Sequence, residues 1–186
     1  GTVTEFDMFL WHAIEDFPDK KSYMAMEFAP LEDDRDRFGQ WIFVILAARN
    51  LNNFEQIADS LCVSQVPEII CAYEMEVWKD IGIVLTERGE LERLYALGLQ
   101  SADYIADRLN NEVVYKYIED VWDVFFVGVH NAELTQQAAD LMNKYNQIAD
   151  KIPGNGYIAT WCAENYARLI VLWLRRNDYR AAANCW

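Results

Sequence analysis

Apolar positions recur along the chain with the period of an α-helix. In the segment 110–129, apolar residues return every three or four positions, and acidic residues occupy the remaining faces. This spacing puts the apolar side chains on one face of a helix, where a neighbouring element can cover them. The same pattern appears in the segments 4–17, 64–89, 131–152 and 157–176. The chain therefore predicts an all-α fold.

Further helices are predicted in the segments between these. They cover residues 19–30, 31–51, 52–63, 90–99, 101–109 and a short segment after 178. The stretch "WIFVIL" within 31–51 is β-branched enough for a buried strand, but the sequence offers no second strand-like segment to pair with it. We expect about nine helices in antiparallel hairpins, arranged as a bundle or as a short α-solenoid.

Two features predict how the last long helix is placed. The "PGNG" turn at 153–156 is the strongest turn signal, and Asn155 and Gly156 are expected to supply left-handed backbone angles. Residues 169–174 are apolar on nearly every side, which is typical of a helix buried on most of its surface. No change in composition indicates a flexible linker, so residues 1–186 are interpreted as one domain.

The end of the chain contains a hairpin pattern of large and small residues. The residues that carry it are Tyr166, Leu169, Trp173, Tyr179, Ala182 and Trp186. An earlier segment, 41–61, has similar spacing, since Trp41 precedes Phe54 by the same thirteen residues that separate Tyr166 from Tyr179. Both segments, 41–61 and 166–186, resemble tetratricopeptide-like helical hairpins, in which a wide side chain fills the gap beside a small one. The resemblance implies stacked hairpins and allows that the chain is a fragment of a longer helical protein.

Charge excludes some partners. The formal net charge of −14 comes from 30 acidic and 16 basic residues, so the molecule repels phosphates and direct nucleic-acid binding is not expected. Acidic residues dominate before residue 124, and basic residues are in excess after residue 150, which predicts one mildly electropositive end.

The apolar run "LIVLWL" is far too short for a membrane span, so no membrane association is expected.

The four cysteines show no close spacing. They are Cys62, Cys71, Cys162 and Cys185. The first three lie among apolar neighbours, where a free cysteine behaves as a small hydrophobe. Reduced thiols and the absence of a visible signal peptide favour a cytoplasmic protein, although a removed export signal stays an alternative.

Residue patterns for chemistry are missing from the sequence. His12 and His130 lack the Glu-x-x-His arrangement of a di-metal site, and no cysteine–histidine spacing suits zinc. No nucleophile motif or phosphate loop is present. We therefore predict no catalytic residue, no cofactor and no metal, although an enzymatic activity stays open.

Two functions fit these observations. The first is a non-enzymatic helical protein–protein interaction module, whose partner binds through a few aromatic anchors. The alternative is an acidic inhibitor or immunity-type protein that blocks a basic, nucleic-acid-binding surface of a target protein with helix-borne carboxylates. The candidate partner-binding residues are Glu74, Asp80, Glu112, Glu119, Asp120 and Asp123. The sequence predicts no oligomeric state.

Overall fold

The computed structural model describes residues 54–63, 71–152, 154 and 156–185. This part of the chain contains eight helices and no strand, which confirms the predicted all-α fold. The helices are α1 (Phe54–Val63), α2 (Cys71–Arg88), α3 (Leu91–Ala106), α4 (Glu112–Tyr115), α5 (Ile118–Asn131), α6 (Thr135–Ala149), α7 (Gly156–Arg175) and α8 (Tyr179–Asn184). The helices predicted for 4–17, 19–30 and 31–51, together with His12, Trp41, Asn155 and Trp186, lie outside the described residues.

Helices of the same direction lie side by side in two layers. α2 and α5 run in parallel in one layer, and α7 continues that layer beside α5. α1, α3 and α6 form the other layer, whose neighbours are also parallel. Chain neighbours such as α2 and α3, or α5 and α6, are antiparallel and connect the layers. Each short loop thus closes a hairpin, and successive hairpins stack.

Two glycines let the helices around α5 approach closely. A Cβ on Gly82 of α2 would lie 2.7 Å from Cγ2 of Val124. A Cβ on Gly128 of α5 would lie 2.5 Å from Oγ1 of Thr86 and 2.6 Å from Cδ2 of Leu94. Because real Cβ atoms do not approach other atoms so closely, the missing side chain sets the spacing of α5 against α2 and α3.

An aromatic cluster fills the space between α5, α6 and α7. The rings of Trp122 and Tyr145 stack with centroids 4.5 Å apart and an interplanar angle of 9°. Trp161 of α7 lies tilted against both rings, at 5.8 Å and 6.1 Å. All three side chains are buried, so this cluster fixes the inner side of α7 to the core.

A buried polar network connects α1, α2 and α3. The Tyr104 hydroxyl donates to the carboxylate of Glu74, and the guanidinium of Arg108 lies 3.7 Å from that carboxylate. Arg108 also donates to the carbonyl oxygen of Leu61 at 2.9 Å and lies over the Tyr104 ring. A buried carboxylate needs such partners, because an unpaired charge in the core is strongly unfavourable.

The prediction of two short helices over 90–99 and 101–109 is wrong, because α3 is one continuous helix. Ser101 is buried, and its hydroxyl donates to the carbonyl oxygen of Gly98 at 2.7 Å, one turn earlier in the same helix. The serine is therefore satisfied inside the helix and does not end it.

The segment 110–129 is also divided differently from the prediction, which placed one helix there. The side chain of Asn111 accepts a hydrogen bond from the amide of Val113 and caps the short α4. The chain then turns at Lys116 and Tyr117 before α5 begins. A local cap at Asn111 thus starts a separate turn of helix, which apolar periodicity alone does not reveal.

The predicted apolar face of α6 is confirmed. Its buried members are Ala138, Leu141, Met142, Tyr145 and Ile148, with Ile152 just beyond the helix and Leu134 half-buried before it. Here the period of the apolar residues matches the packing, because α3, α5 and α7 all cover that face.

Two predictions for α7 are wrong. Leu169 and Leu172 are buried as expected, but Val171 and Leu174 are exposed. The main packing partners of α7 are α5, α6 and α8, and they cover only one side of it. Gly156 begins α7 and does not take a left-handed angle; Gly154 does, with φ of +68°.

Candidate functional site

Exposed apolar surface is concentrated on α7 and α8. Within the described ranges, four large hydrophobic side chains are exposed: Tyr157 (72%), Val171 (48%), Leu174 (45%) and Tyr179 (66%). The described tryptophans, in contrast, lie in or against the core. The candidate surface is therefore formed by tyrosine and aliphatic side chains at one end of the stack.

The exposed residues of α7 form one regular stripe. We define the outer face of α7 as Tyr157, Thr160, Glu164, Ala167, Val171 and Leu174, all of which are exposed. Their spacing alternates between three and four residues, which is the pattern of a helix that packs lengthwise against another helix. Thr160, Glu164 and Ala167 occupy the middle of the stripe, and the larger apolar residues lie at its carboxyl end.

An open groove of about 560 Å³ runs beside the outer face of α7. Residues of α6 and α7 form most of its lining, and Cys185 also contributes to it. Its lining is mainly small and apolar and includes Ala159, Ala163, Ala167, Ile170 and Ile152. Alanines on one side of a helix leave room for another backbone or side chain to approach closely, so the groove extends the apolar surface inward.

The two thiols and the tyrosine hydroxyl of this groove ionise less readily than usual. Burial and the nearby Asp150 raise the pKa of Cys162 to about 11. Burial also raises the pKa of Tyr166 to about 12 and raises the pKa of Cys185. Because the thiolate is the reactive form, both thiols are poor nucleophiles at neutral pH. All four cysteines of the chain are free.

Basic side chains surround the carboxyl end of the outer face. Arg168 and Arg175 lie on α7 and Arg180 on α8, and all three are exposed. Arg176, just after α7, is held instead by the loop before α6, where it donates to the carbonyl oxygen of Glu133 at 2.6 Å. The excess of basic residues after residue 150 is thus placed beside the exposed apolar residues.

Three predicted partner-binding acids come together at the start of α5. Glu119, Asp120 and Asp123 occupy its first two turns. The Lys79 ammonium lies 3.8 Å from Asp120, and the Trp161 indole donates to Asp123 at 3.3 Å. Asp123 therefore contributes to the contact between α5 and α7. Hydrogen bonding to Glu119 raises the pKa of the exposed Tyr157 hydroxyl.

The other three predicted acids, Glu74, Asp80 and Glu112, do not join this group. Asp80 is half-buried on α2, and Glu112 is exposed on α4. Glu74 is fully buried, at 0% exposure, in its network with Tyr104 and Arg108. The carboxylate of Glu74 is therefore occupied inside the core, and this position does not favour its predicted contact with a partner.

The described ranges contain neither a cluster of metal ligands nor a helix able to span a membrane. No group of three potential metal ligands occurs within the described ranges. The His130 ring packs against Phe126 and lies 3.4 Å from the carbonyl oxygen of Arg168, between α5 and α7. None of the helices described above combines the length and the apolar character needed to cross a bilayer.

Known proteins add no family to this description. The chain matches no family model and has no significant similarity to a curated protein or to a solved structure. The function must therefore be inferred from the outer face of α7, the groove and the charges around them. Sequence reasoning missed this surface because it assigned residues 169–174 to the core.

Proposed function

We propose that this protein is a non-enzymatic helical interaction module that binds a helical segment of a partner protein along the outer face of α7. The observation that carries the proposal is the location of the exposed large hydrophobic residues. All four lie on α7 and α8, and Val171 and Leu174 are neighbours one turn apart on the outer face. Large apolar side chains that are exposed in one region of a molecule are typical of interaction sites.

The spacing of the outer face supports a helical partner. Thr160, Ala167 and Leu174 recur every seven residues, with Glu164 and Val171 between them. A second helix packs lengthwise on such a stripe, with its own apolar residues between those of α7. Ala163 and Ala167 line the groove as well, so larger anchors of the partner have space beside the helix axis.

The acidic inhibitor stays an alternative, with less support. Asp120 is exposed and Glu119 lies next to it, so part of an acidic surface exists at the start of α5. Asp123 accepts a hydrogen bond from Trp161, Glu74 is buried, and Glu112 lies on another helix. An inhibitor that mimics phosphates needs several free carboxylates on one side, and the six candidates do not provide that arrangement.

The absence of activated groups in the groove supports a binding role. Cys162 and Cys185 are protonated at neutral pH, and Tyr166 is half-buried with its hydroxyl 3.1 Å from the side chain of Asn143. We also propose a cytoplasmic location, because four free cysteines are typical of a reducing compartment.

Loss of the apolar end of the outer face tests the proposal. The variant Val171→Asp/Leu174→Asp adds two carboxylates to the exposed stripe. The control Ala96→Asp/Gln147→Asp adds two carboxylates at exposed positions of α3 and α6. Proteins captured from the native source by the wild type are identified by mass spectrometry, purified and titrated against all three forms by calorimetry.

We expect the purified partner to bind the wild type and the control with equal affinity. Desolvating two carboxylates at the apolar end of the contact should weaken binding to Val171→Asp/Leu174→Asp by at least about a hundredfold. Equal affinity for all three forms would overturn the proposal that the outer face of α7 is the binding surface.

A further inference from the structure

Basic side chains elsewhere in the described residues are mostly paired with acids. Ion pairs are formed by Lys79, Arg88, Arg93, Arg108, Lys144 and Arg176. In a chain with 30 acidic and 16 basic residues, such pairing is the expected outcome. Basic residues without an acidic partner are therefore informative.

The outer face of α7 has such residues along one edge. Arg168 and Arg175 are seven residues apart, so their side chains leave the helix on the same side, two turns from each other. Neither makes an ion pair with any residue in the described part of the chain, and Arg168 donates only to the side chain of Asn165, at 3.1 Å. Arg180 extends the same basic region onto α8.

The two properties of this surface point to one kind of ligand. The carboxyl half of the outer face, with Ala167, Val171 and Leu174, offers apolar contact, and Arg168 and Arg175 at its edge make no ion pair within the described residues. The carboxylate of Glu164 lies nearer the amino end of the face, so an acidic partner is expected to pack on the carboxyl half. We infer that the partner segment is an acidic amphipathic helix, whose apolar residues pack on the outer face of α7 while carboxylates seven residues apart pair with Arg168 and Arg175. This inference rests on the function proposed above and adds the chemistry of the partner.

The local charge beside the outer face of α7 and the net charge of the protein predict opposite preferences between acidic and basic peptides. A protein with a net charge of −14 attracts basic peptides and repels acidic ones at a distance. Preference for an acidic helix can therefore come only from the local charges beside the binding face. At physiological salt the Debye length is about 8 Å, so contacts at this face outweigh the distant acids.

Two synthetic peptides provide the probes. Each has 20 residues, the length of α7, and carries leucine and alanine at alternating intervals of three and four residues. In the acidic peptide, glutamates flank the apolar stripe at spacings of seven; in the basic peptide, lysines replace them. Both carry fluorescein, and their binding to the complete protein is followed by fluorescence anisotropy at physiological salt.

Two variants of equal net charge test the arginines. Arg168→Gln/Arg175→Gln removes two positive charges from the edge of the face. Lys116→Glu changes the net charge by the same amount at an exposed position next to α4, on another part of the molecule. Circular dichroism spectra and thermal midpoints confirm that both variants are folded.

We expect the wild type and Lys116→Glu to bind the acidic peptide more tightly than the basic one. Arg168→Gln/Arg175→Gln should bind the acidic peptide roughly three- to tenfold more weakly, as the loss of two solvent-exposed ion pairs predicts. Val171→Asp/Leu174→Asp should lose both peptides, because it removes the apolar contact on which either would depend.

Four results would overturn the inference. Tighter binding of the basic peptide, or an equal response of the two charge variants, would leave the outer face as a docking surface without the proposed charge preference. Binding of neither peptide would exclude a generic acidic helix, and the partner capture described above would then decide the proposed function separately. A dimer in sedimentation experiments that Val171→Asp/Leu174→Asp abolishes would show that a second copy occupies the face.

Discussion

α5 and α7 have similarly apolar sequences and very different surroundings. α5 contains "WDVFFVGV" and α7 contains "RLIVLWL". α2, α3, α6 and α7 all pack on α5, so its apolar residues are buried on several sides. Among the helices that the structure describes, α7 lies at the end of its layer, and Val171 and Leu174 on its outer face are exposed. Exposure is thus decided by the position of a helix in the stack as well as by its composition.

The two sides of α7 therefore have different roles: the inner side stabilises the fold, and the outer side is available for binding. The inner side of α7, with Trp161 and Leu169, belongs to the same core as α5. The outer side has comparable apolar character at its carboxyl end but contributes little to folding, because none of the helices in the described ranges covers it. Apolar residues that folding does not use are available for a partner.

Truncating one core residue of α5 and one surface residue of α7 should give the largest contrast. Phe125 is fully buried, so Phe125→Ala should lower the free energy of unfolding by about 3–5 kcal/mol. Leu174→Ala removes a side chain that is 45% exposed and should cost at most about 1 kcal/mol. Urea unfolding followed by circular dichroism measures both. Similar losses for the two variants would contradict the comparison of α5 with α7.

Glycine substitutions test the same contrast through close packing. Gly128→Ala on α5 places a methyl group against Thr86 and Leu94, and the overpacking should cost about 1–3 kcal/mol of stability. Gly156→Ala at the start of α7 meets no atom within 4 Å and should be neutral or stabilising by a few tenths of a kcal/mol. Thermal unfolding of both variants gives the measurement. A neutral Gly128→Ala would mean that α5 can move away from α2 and α3 without loss.

The sequence predicts the helices well where packing follows the apolar period. In α6 the predicted face and the buried residues agree closely, because neighbours cover that face. In α3 the two predicted short helices merge, since the buried Ser101 is satisfied by its own helix. Local sequence does not show whether a serine will be capped, buried or exposed, and that choice depends on residues distant in the chain.

The candidate surface was harder to predict than the fold. Residues 169–174 are apolar on almost every side, and nothing in the segment itself indicates that Val171 and Leu174 are exposed. The charge asymmetry did predict a mildly basic end, and Arg168, Arg175 and Arg180 lie there. Glu74 shows the reverse problem, since an acidic residue in an amphipathic pattern was expected on the surface and is fully buried.

A single hydrogen bond between α5 and α7 should have a smaller effect on stability. Asp123→Ala leaves the indole N–H of the buried Trp161 without its acceptor, which should cost about 1–2 kcal/mol. The control Asp120→Ala removes an exposed carboxylate with only a long contact to Lys79 and should cost less than about 0.5 kcal/mol. Chemical denaturation of the two variants distinguishes these values. Equal effects would show that Asp123 is a surface acid and returns it to the partner-binding candidates.

The smallest expected effect concerns the inner wall of the groove and appears only at alkaline pH. Burial raises the pKa of Cys162 from 9.0 to about 11, so the folded protein holds a neutral thiol where the unfolded chain would ionise. This contribution to stability is complete below pH 9 and is lost as the pH rises towards 11. Tyrosines that also titrate in this range remain in Cys162→Ala, so the variant isolates the thiol. We expect its thermal midpoint to fall less than that of the wild type between pH 8 and pH 10, about a degree or two apart. If the thermal midpoints of the wild type and Cys162→Ala fell equally, the Cys162 thiol would be well solvated in the folded protein. The inner and outer sides of α7 would then differ less in their access to water than their packing indicates.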